Sequence, residues 1–219
     1  RMPKALISGV AGQDGTYLSQ FLRGKGYEVH GLISSNQSAD YLRHRELLSG
    51  VNIHQMDITD FSAVGQIIQQ ENFDEVYNLA SLSSPSQSFE QPFKTFHVNT
   101  QSVLNFLESI RRLSSDTRFY QASSSELFGG RPEDVPQHEG TRFHPRSPYG
   151  VSKLAAHWLV INYREAYNLP CCAGILFNHE SPRRQGSFVT KKICDWVKSY
   201  RRREHKGPLM LGNVNARRD

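Results

Sequence analysis

The sequence predicts an α/β protein: a Rossmann-type doubly wound parallel sheet, followed by the start of a small, incomplete C-terminal domain. Three observations predict it. Short apolar runs alternate with longer amphipathic ones, the pattern of a parallel sheet covered by helices. The short runs are nearly all apolar, as strands buried on both faces are. A glycine trio stands at the first strand-to-helix junction, where the backbone must turn sharply.

The elements follow in order. "KALISG" reads as the first strand, residues 15–26 as a helix, "YEVHGLI" as the second strand and "VNIHQM" as the third. A helix is expected from about Asp60 to Glu71, then a strand "DEVYNLA", then one long helix ending near Arg112. "RFYQAS" is the fifth strand, residues 148–168 a helix, and "CCAGILF" the sixth strand. No internal repeat or low-complexity linker interrupts this order. After Phe177 Arg, Lys, Gly and Pro become frequent. The expected division is therefore residues 1–177 as a dinucleotide-binding domain and 178–219 as a separate segment beyond it.

Composition narrows the function classes. The 219 residues are 37% hydrophobic and 21% charged, as globular chains are. No apolar run reaches the roughly 18–20 residues that cross a bilayer, and no signal-like segment opens the chain, so a cytoplasmic protein without membrane contact is expected. The net charge is +5, much of it in "KSYRRREHKG". No helix-turn-helix, zinc or RNA-binding motif accompanies that run, so it reads as a solvated helix end and no nucleic-acid partner is expected. Cys171, Cys172 and Cys194 lack metal-ligand spacing and read as reduced, buried structural thiols. No metal site is expected.

Gly9, Gly12 and Gly15 in "ISGVAGQDGTYL" form GxxGxxG. At the first β–α junction this is a dinucleotide-binding signal, because a pyrophosphate can rest on the helix N-terminus. The cofactor's type is usually marked after the second strand, by an acid for NAD or an arginine for NADP. Here "GLISSNQSADYLRHREL" gives neither at once. Ser34 and Ser35 could bond a phosphate, with Arg43 and Arg45 slightly later. Asp57, at the end of the third strand, suits an adenine amino group, whereas Asp60 suits a helix N-cap. Small residues in "NLASLSS" leave room for a cofactor after the fourth strand.

Tyr149 and Lys153 in "YGVSK" stand four apart at the start of a helix, on one face. An ammonium beside a phenol stabilises the phenolate and lets the tyrosine act as a base. "YQASSSELFGG" places three serines and Glu126 at the end of the fifth strand. Ser124 could bond a substrate hydroxyl. Oxidising an alcohol needs Ser124, Tyr149 and Lys153 but no carboxylate. Glu126 therefore suggests a further task, proton removal beside a carbonyl with loss of a hydroxyl, which together are elimination of water. The plainer role of Glu126 is a helix or turn cap.

"GVAGQDGTYL", "YQASSSELFG", "RSPYGVSK" and "ILFNHESPRR" resemble the GDP-mannose 4,6-dehydratase family of extended short-chain dehydrogenases/reductases, and the likeness runs from Ala5 to Asp219. The resemblance implies NADP, with NAD as the alternative, and a nucleotide-sugar substrate, GDP-mannose. It implies that Tyr149 takes the C4 hydroxyl proton, that Glu126 removes the C5 proton, that water leaves C6, and that hydride returns to C6. It implies cofactor contacts at Gly9, Gly12, Gln13, Asp14, Gly15, Asp57, Ile58, Leu79, Ala80, Ser81, Ser83, Tyr149, Lys153, His179 and Arg184. Asn178, Lys192 and Arg217 match positions that touch the sugar nucleotide, with Ser83, Ser124, Glu126 and Tyr149 beside them. Arg217 would suit a pyrophosphate, or else be a surface charge. A homo-oligomer, dimer or tetramer, paired through helices flanking the site, is also implied, and 178–219 becomes the start of a substrate domain that the family continues further, so a truncated one is expected.

The chain departs from the family pattern in three places. Ser124 stands where the family usually has Thr, "ISSNQ" where it carries paired arginines, and Leu82-Ser83 where it has Gln-Ser. Rival readings are a sugar-nucleotide 4-epimerase, which has no need of Glu126; a dehydratase of another nucleotide sugar, such as a GDP-heptose or GDP-amino sugar; and a non-catalytic dinucleotide-binding protein, which has no need of all four site residues.

Overall fold

A computed structural model describes residues 1–34, 39–186, 188–204 and 207–215. The chain divides into two compact units, Arg1–Leu176 and Phe177–Asp219. In the first, β1 (Lys4–Ser8), β2 (Glu28–Ile33), β3 (Asn52–Gln55), β4 (Glu75–Asn78), β5 (Arg118–Ser124) and β6 (Cys171–Leu176) pair in parallel as one six-stranded sheet ordered β3-β2-β1-β4-β5-β6. The order reverses between β1 and β4. In open α/β sheets the crevice beyond the strand C-termini at such a reversal is where ligands bind.

The helices are α1 (Gln13–Gly24), α2 (Ala39–His44), α3 (Phe61–Glu71), α4 (Pro85–Glu90), α5 (Pro92–Phe96), α6 (Ser102–Leu113) and α7 (Pro148–Tyr167), with α8 (Val189–Arg201) in the second unit. Alternation along each strand gives the sheet two cores. Leu6 packs with Val64, Ile68, Phe106, Leu107 and Val160 on the face covered by α3, α6 and α7. Its neighbours Ala5 and Ile7 pack with Val10, Leu22 and Val29 beneath α1. Each fully buried large aliphatic or aromatic side chain contributes about 1.5–3 kcal/mol, so burial on both faces is the main force holding the strands in register. Asp60 caps α3 as its sequence suggested, accepting from the backbone N–H groups of Ser62 and Ala63.

Three expectations need correction. The first helix begins at Gln13, not at 15, because Gly12 is its extended N-cap residue. The single long helix expected before Arg112 is α4, α5, a π-helical turn at His97–Gln101, and α6. Pro85 and Pro92 begin α4 and α5; proline has no N–H to carry a helix through. "KSYRRREHKG" is a solvated helix end as expected, since its first four residues close α8, which has no buried residue. Finally, only Cys171 is buried, whereas Cys172 and Cys194 are exposed. Strand alternation explains the first pair: Cys171 turns inward, its thiol donating to the Val160 carbonyl at 3.3 Å, and Cys172 turns out. Cys194 lies on α8, which has no buried residue.

Candidate active site

The glycine loop joins β1 to α1. Gly9 has φ +67°, and a Cβ there would stand 2.9 Å from the backbone nitrogen of Ala80. A Cβ at Gly15 would stand 2.4 Å from the Gly9 carbonyl oxygen. The first glycine thus permits the turn and the approach of β4, and the third lets the helix start press against that turn. The Gly12 N–H donates to the Gly9 carbonyl at 3.0 Å, closing the loop. Gly12 offers no side-chain cap to α1, so the first-turn N–H groups, with Gln13 and Asp14 in that turn, form the cradle a pyrophosphate requires.

The other sequence-predicted cofactor residues of this unit follow strand ends on the same edge of the sheet. Leu79, Ala80, Ser81 and Ser83 follow β4; the Ala80 N–H donates to Ser8 Oγ at 3.1 Å, and Ser83 is exposed. Ser34 is exposed after β2, and Arg43 on α2 is exposed with its guanidinium 3.6 Å from Asp40. Ser35 lies outside the described residues. After β3, Asp57 Oδ1 accepts from both the N–H and the hydroxyl of Thr59, at 2.8 Å each. The Thr59 N–H holds the Asp57 carboxyl below its usual range. The Ile58 carbonyl accepts from Asn105 at 3.0 Å.

Ser124, Glu126, Tyr149 and Lys153 converge where β5 meets α7. Ser124 is the last residue of β5 and caps the 3-10 turn Ser125–Leu127, accepting from the Glu126 N–H at 3.2 Å. That turn presses on the first turn of α7: a Cβ at Gly150 would stand 3.0 Å from the Glu126 carbonyl oxygen. Glu126 is half-buried, Ser124 buried. The capping role considered for this segment belongs to the Ser124 hydroxyl, which receives the Glu126 backbone. Ser147 caps α7 by accepting from the Gly150 N–H at 3.0 Å, and Pro148 opens the helix. The Tyr149 N–H donates to Ser88 on α4 at 3.1 Å.

Tyr149 is 7% and Lys153 3% exposed. The ammonium stands 5.8 Å from the centre of the Tyr149 ring and donates to the Ala122 carbonyl at 3.0 Å. Burial pushes the Lys153 ammonium down to about 8. The pair thus shares one buried face of α7, with the ammonium beside the aromatic ring.

Sequence reading passed over three polar residues beside this pair. Ser8, Asn78 and Gln121 are fully or almost fully buried and stand in register across β1, β4 and β5. Ser8 and Asn78 end apolar strands, which is a signal of a kind; Gln121 stands in the middle of β5 and carries none. Asn99, on the π-helical turn, was also missed; its side-chain amide donates to Ser152 at 3.0 Å and accepts from the Leu82 N–H at 2.9 Å. It fastens the chain after β4 to α7. Ser123 Oγ is buried with no hydrogen-bond partner among the described residues.

Five sequence-predicted residues belong to the second unit. Asn178 and His179 are exposed, and His179 Nδ1 lies 2.8 Å from the Phe177 carbonyl oxygen. Arg184 stacks on Phe188, 3.6 Å from the ring centre. Lys192 donates to the Met210 carbonyl at 2.5 Å. Arg217 lies outside the described residues.

A family model described as GDP-mannose 4,6 dehydratase matches residues 6–219. The chain belongs to the GDP-mannose 4,6-dehydratase family. A curated GDP-mannose 4,6-dehydratase from Vibrio cholerae is 46% identical over 99% of this chain and 60% of its own length. GDP-mannose 4,6 dehydratase 2 from Arabidopsis thaliana is 48% identical over 98% of this chain, again 60% of its own length. The chain thus spans about three fifths of the curated relatives it matches. Among solved structures, a UDP-glucuronic acid 4-epimerase from Bacillus cereus superposes with TM-score 0.81 at 23% identity, over 96% of this chain and 66% of that one. A dTDP-glucose 4,6-dehydratase from Bacillus anthracis superposes with TM-score 0.79 at 17% identity, over 90% and 62%. At those identities the superpositions speak for the fold, the Rossmann-like sheet that epimerases and dehydratases share.

Proposed function

We propose that the protein of which this chain forms part converts GDP-mannose to GDP-4-keto-6-deoxymannose by a 4,6-elimination of water, using NADP. The observation that carries this reading is the convergence of Glu126 with Ser124, Tyr149 and Lys153, in a chain about 46% identical to a curated GDP-mannose 4,6-dehydratase. Within that reading, Gly9, Gly12 and Gly15 admit the dinucleotide, whose nicotinamide when bound takes up a hydride and gives it back. Tyr149, beside the Lys153 ammonium, takes the proton of the C4 hydroxyl as C4 becomes a ketone. Ser124 Oγ accepts from Glu126, and no acceptor among the described residues takes its own hydrogen; that hydrogen is available to a sugar oxygen. The ketone acidifies C5–H. Glu126 removes that proton and delivers it to the C6 oxygen, which leaves as water. Hydride return to C6 and the proton held by Tyr149, passed to C5, complete the product.

A 4-epimerase needs no carboxylate at position 126, so Glu126 favours elimination. NADP rather than NAD, a cytoplasmic location and a homo-oligomer belong to the same reading. Phe93, 91% exposed on α5, and Val151, 46% exposed on α7, support pairing through this helical face. The test is mass spectrometry of GDP-mannose incubated with the full-length protein and NADP. Loss of one water without net cofactor reduction is expected. In Glu126→Gln, cofactor binding is retained and product falls by at least about a thousandfold, the scale on which loss of an essential general base acts. Undiminished turnover in that variant would sink the elimination mechanism.

A further inference from the structure

Lys153 is held by a backbone carbonyl, and that carbonyl is shared. The side-chain amide of Gln121 donates to the Ala122 oxygen at 2.9 Å, the same atom that receives the Lys153 ammonium at 3.0 Å. Gln121 is itself oriented. Its Oε1 accepts from the Asn78 side-chain amide at 2.7 Å, and Asn78 Oδ1 accepts the Ser8 hydroxyl hydrogen at 2.5 Å. Ser8 Oγ in turn accepts from the Ala80 N–H. Every bond in this row runs one way, because a hydroxyl has one hydrogen and each amide has distinct donor and acceptor ends. Flipping Gln121 would set donor against donor at Asn78 and acceptor against acceptor at Ala122, and flipping Asn78 would set acceptor against acceptor at Gln121. The three side chains are at most 1% exposed, so such a mismatch would go unrelieved by water.

We propose that Ser8, Asn78 and Gln121 are positioning residues that act through the Ala122 carbonyl, setting where the Lys153 ammonium stands and how readily it keeps its proton. Gln121 spends part of the carbonyl's accepting power, so less of it stabilises the charged lysine. The titratable and charged groups on elements packed against α7 are Glu90 on α4, Lys94 on α5, His97 on the π-helical turn, Glu108, Arg111 and Arg112 on α6, Arg118 and Tyr120 on β5, Glu126 on the turn after it, and Cys171 and Cys172 on β6, with Tyr149, His157, Tyr163, Arg164, Glu165 and Tyr167 on α7 itself. Glu108 is engaged by Arg111, Arg112 and Tyr163. Tyr149 has its ring beside the ammonium. Burial is the cause of the Lys153 shift, which leaves the shared carbonyl as the local contact able to tune it. The proposal rests on the reading of Lys153 as the cation beside a reactive Tyr149.

The test uses the full-length protein and Gln121→Met, which fills the space without donating, with Ser8→Ala as a remote second variant. Two readouts are taken. One is the pH at which the Lys153 13Cε resonance titrates, assigned by its disappearance in Lys153→Met. The other is the alkaline limb of kcat/KM for GDP-mannose. Gln121→Met is expected to move the titration and the limb upward by about half a pH unit or more, the scale of one hydrogen bond. Ser8→Ala moves both in the same direction by less, because it frees Asn78 and Gln121 to reorient. A row that only braces the sheet would lower the melting temperature and leave the titration where it was, and that result overturns the proposal. If the protein fails to act on GDP-mannose, the functional reading falls, while the 13C titration still decides the role of the row.

Discussion

Gly15 has no room for a side chain. The atoms a Cβ would meet, the Gly9 carbonyl oxygen at 2.4 Å and Val10 Cα at 2.6 Å, are backbone and cannot swing aside. Gly15→Ala is expected to destabilise the first unit by about 1–3 kcal/mol, as overpacking does, and to weaken dinucleotide binding by opening the cradle. Gly24, at the end of the same helix, is the control. A Cβ there meets nothing within 4 Å, so Gly24→Ala is expected to be neutral or to stabilise by up to about 1 kcal/mol. Urea unfolding of both variants, with fluorescence titration of NADP, separates the steric argument from a general intolerance of α1. The role of Gly15 was legible in the spacing of the three glycines, because that spacing encodes a turn. The role of Gln121 was not. A glutamine in a strand has no pattern of its own, and its meaning comes from Asn78 and Ser8, brought into register by pairing between distant strands.

At the scale of elements, α6 and α7 are fastened by one carboxylate. Glu108 on α6 accepts from Arg111 at 2.7 and 3.0 Å, from Arg112 at 2.6 Å and from the Tyr163 hydroxyl on α7 at 2.9 Å. The Arg111 bonds, against the cost of burial and with help from Tyr163 and Arg112, bring its pKa down to about 2. A depressed folded-state pKa stabilises above the unfolded value and ceases to do so as pH falls through the folded one. Glu108→Gln is therefore expected to cost about 1–2 kcal/mol at pH 7, a hydrogen-bonded charge discounted for its partial exposure. The difference should shrink as pH falls from about 4.5 toward 2, the window set by the usual carboxylate value and the folded one. Thermal melts across that range measure it. Helices α3, α6 and α7 were legible because their apolar stripes repeat over several turns. The breaks among α4, α5 and the π-helical turn were not, because they follow from packing against α7 as much as from the prolines.

Taken whole, the first unit has its candidate chemistry at one edge of the sheet and a charged cluster at the other. Lys4 opens β1, and its ammonium lies 3.0 Å from Glu71 and 3.6 Å from Glu28, beside the buried His30. His30 Nε2 meets Glu28 at 2.9 Å, and His30 Nδ1 lies 2.9 Å from His54 Nε2. The Lys4 bond lowers the Glu71 carboxyl, and the His30 bond lowers that of Glu28. At this edge the acidic groups end α3 and open β2, so they join elements that the chain reaches far apart. With both folded values depressed, their stabilisation is present above the usual carboxylate pKa and is lost as pH falls below it. Lys4→Met removes the cation and keeps the stem. It is expected to cost about 1 kcal/mol at pH 7, the upper range of an exposed network, and to leave acid unfolding less steep over the carboxylate window, since Glu71 then titrates nearer its usual value. The site residues stand at the opposite strand ends, so turnover of GDP-mannose should match that of the parent at pH 7. Acid titration followed by circular dichroism, with a parallel activity assay, tests both halves. A loss of turnover without a loss of stability would show that the two edges of the sheet are coupled in a way that these contacts do not provide.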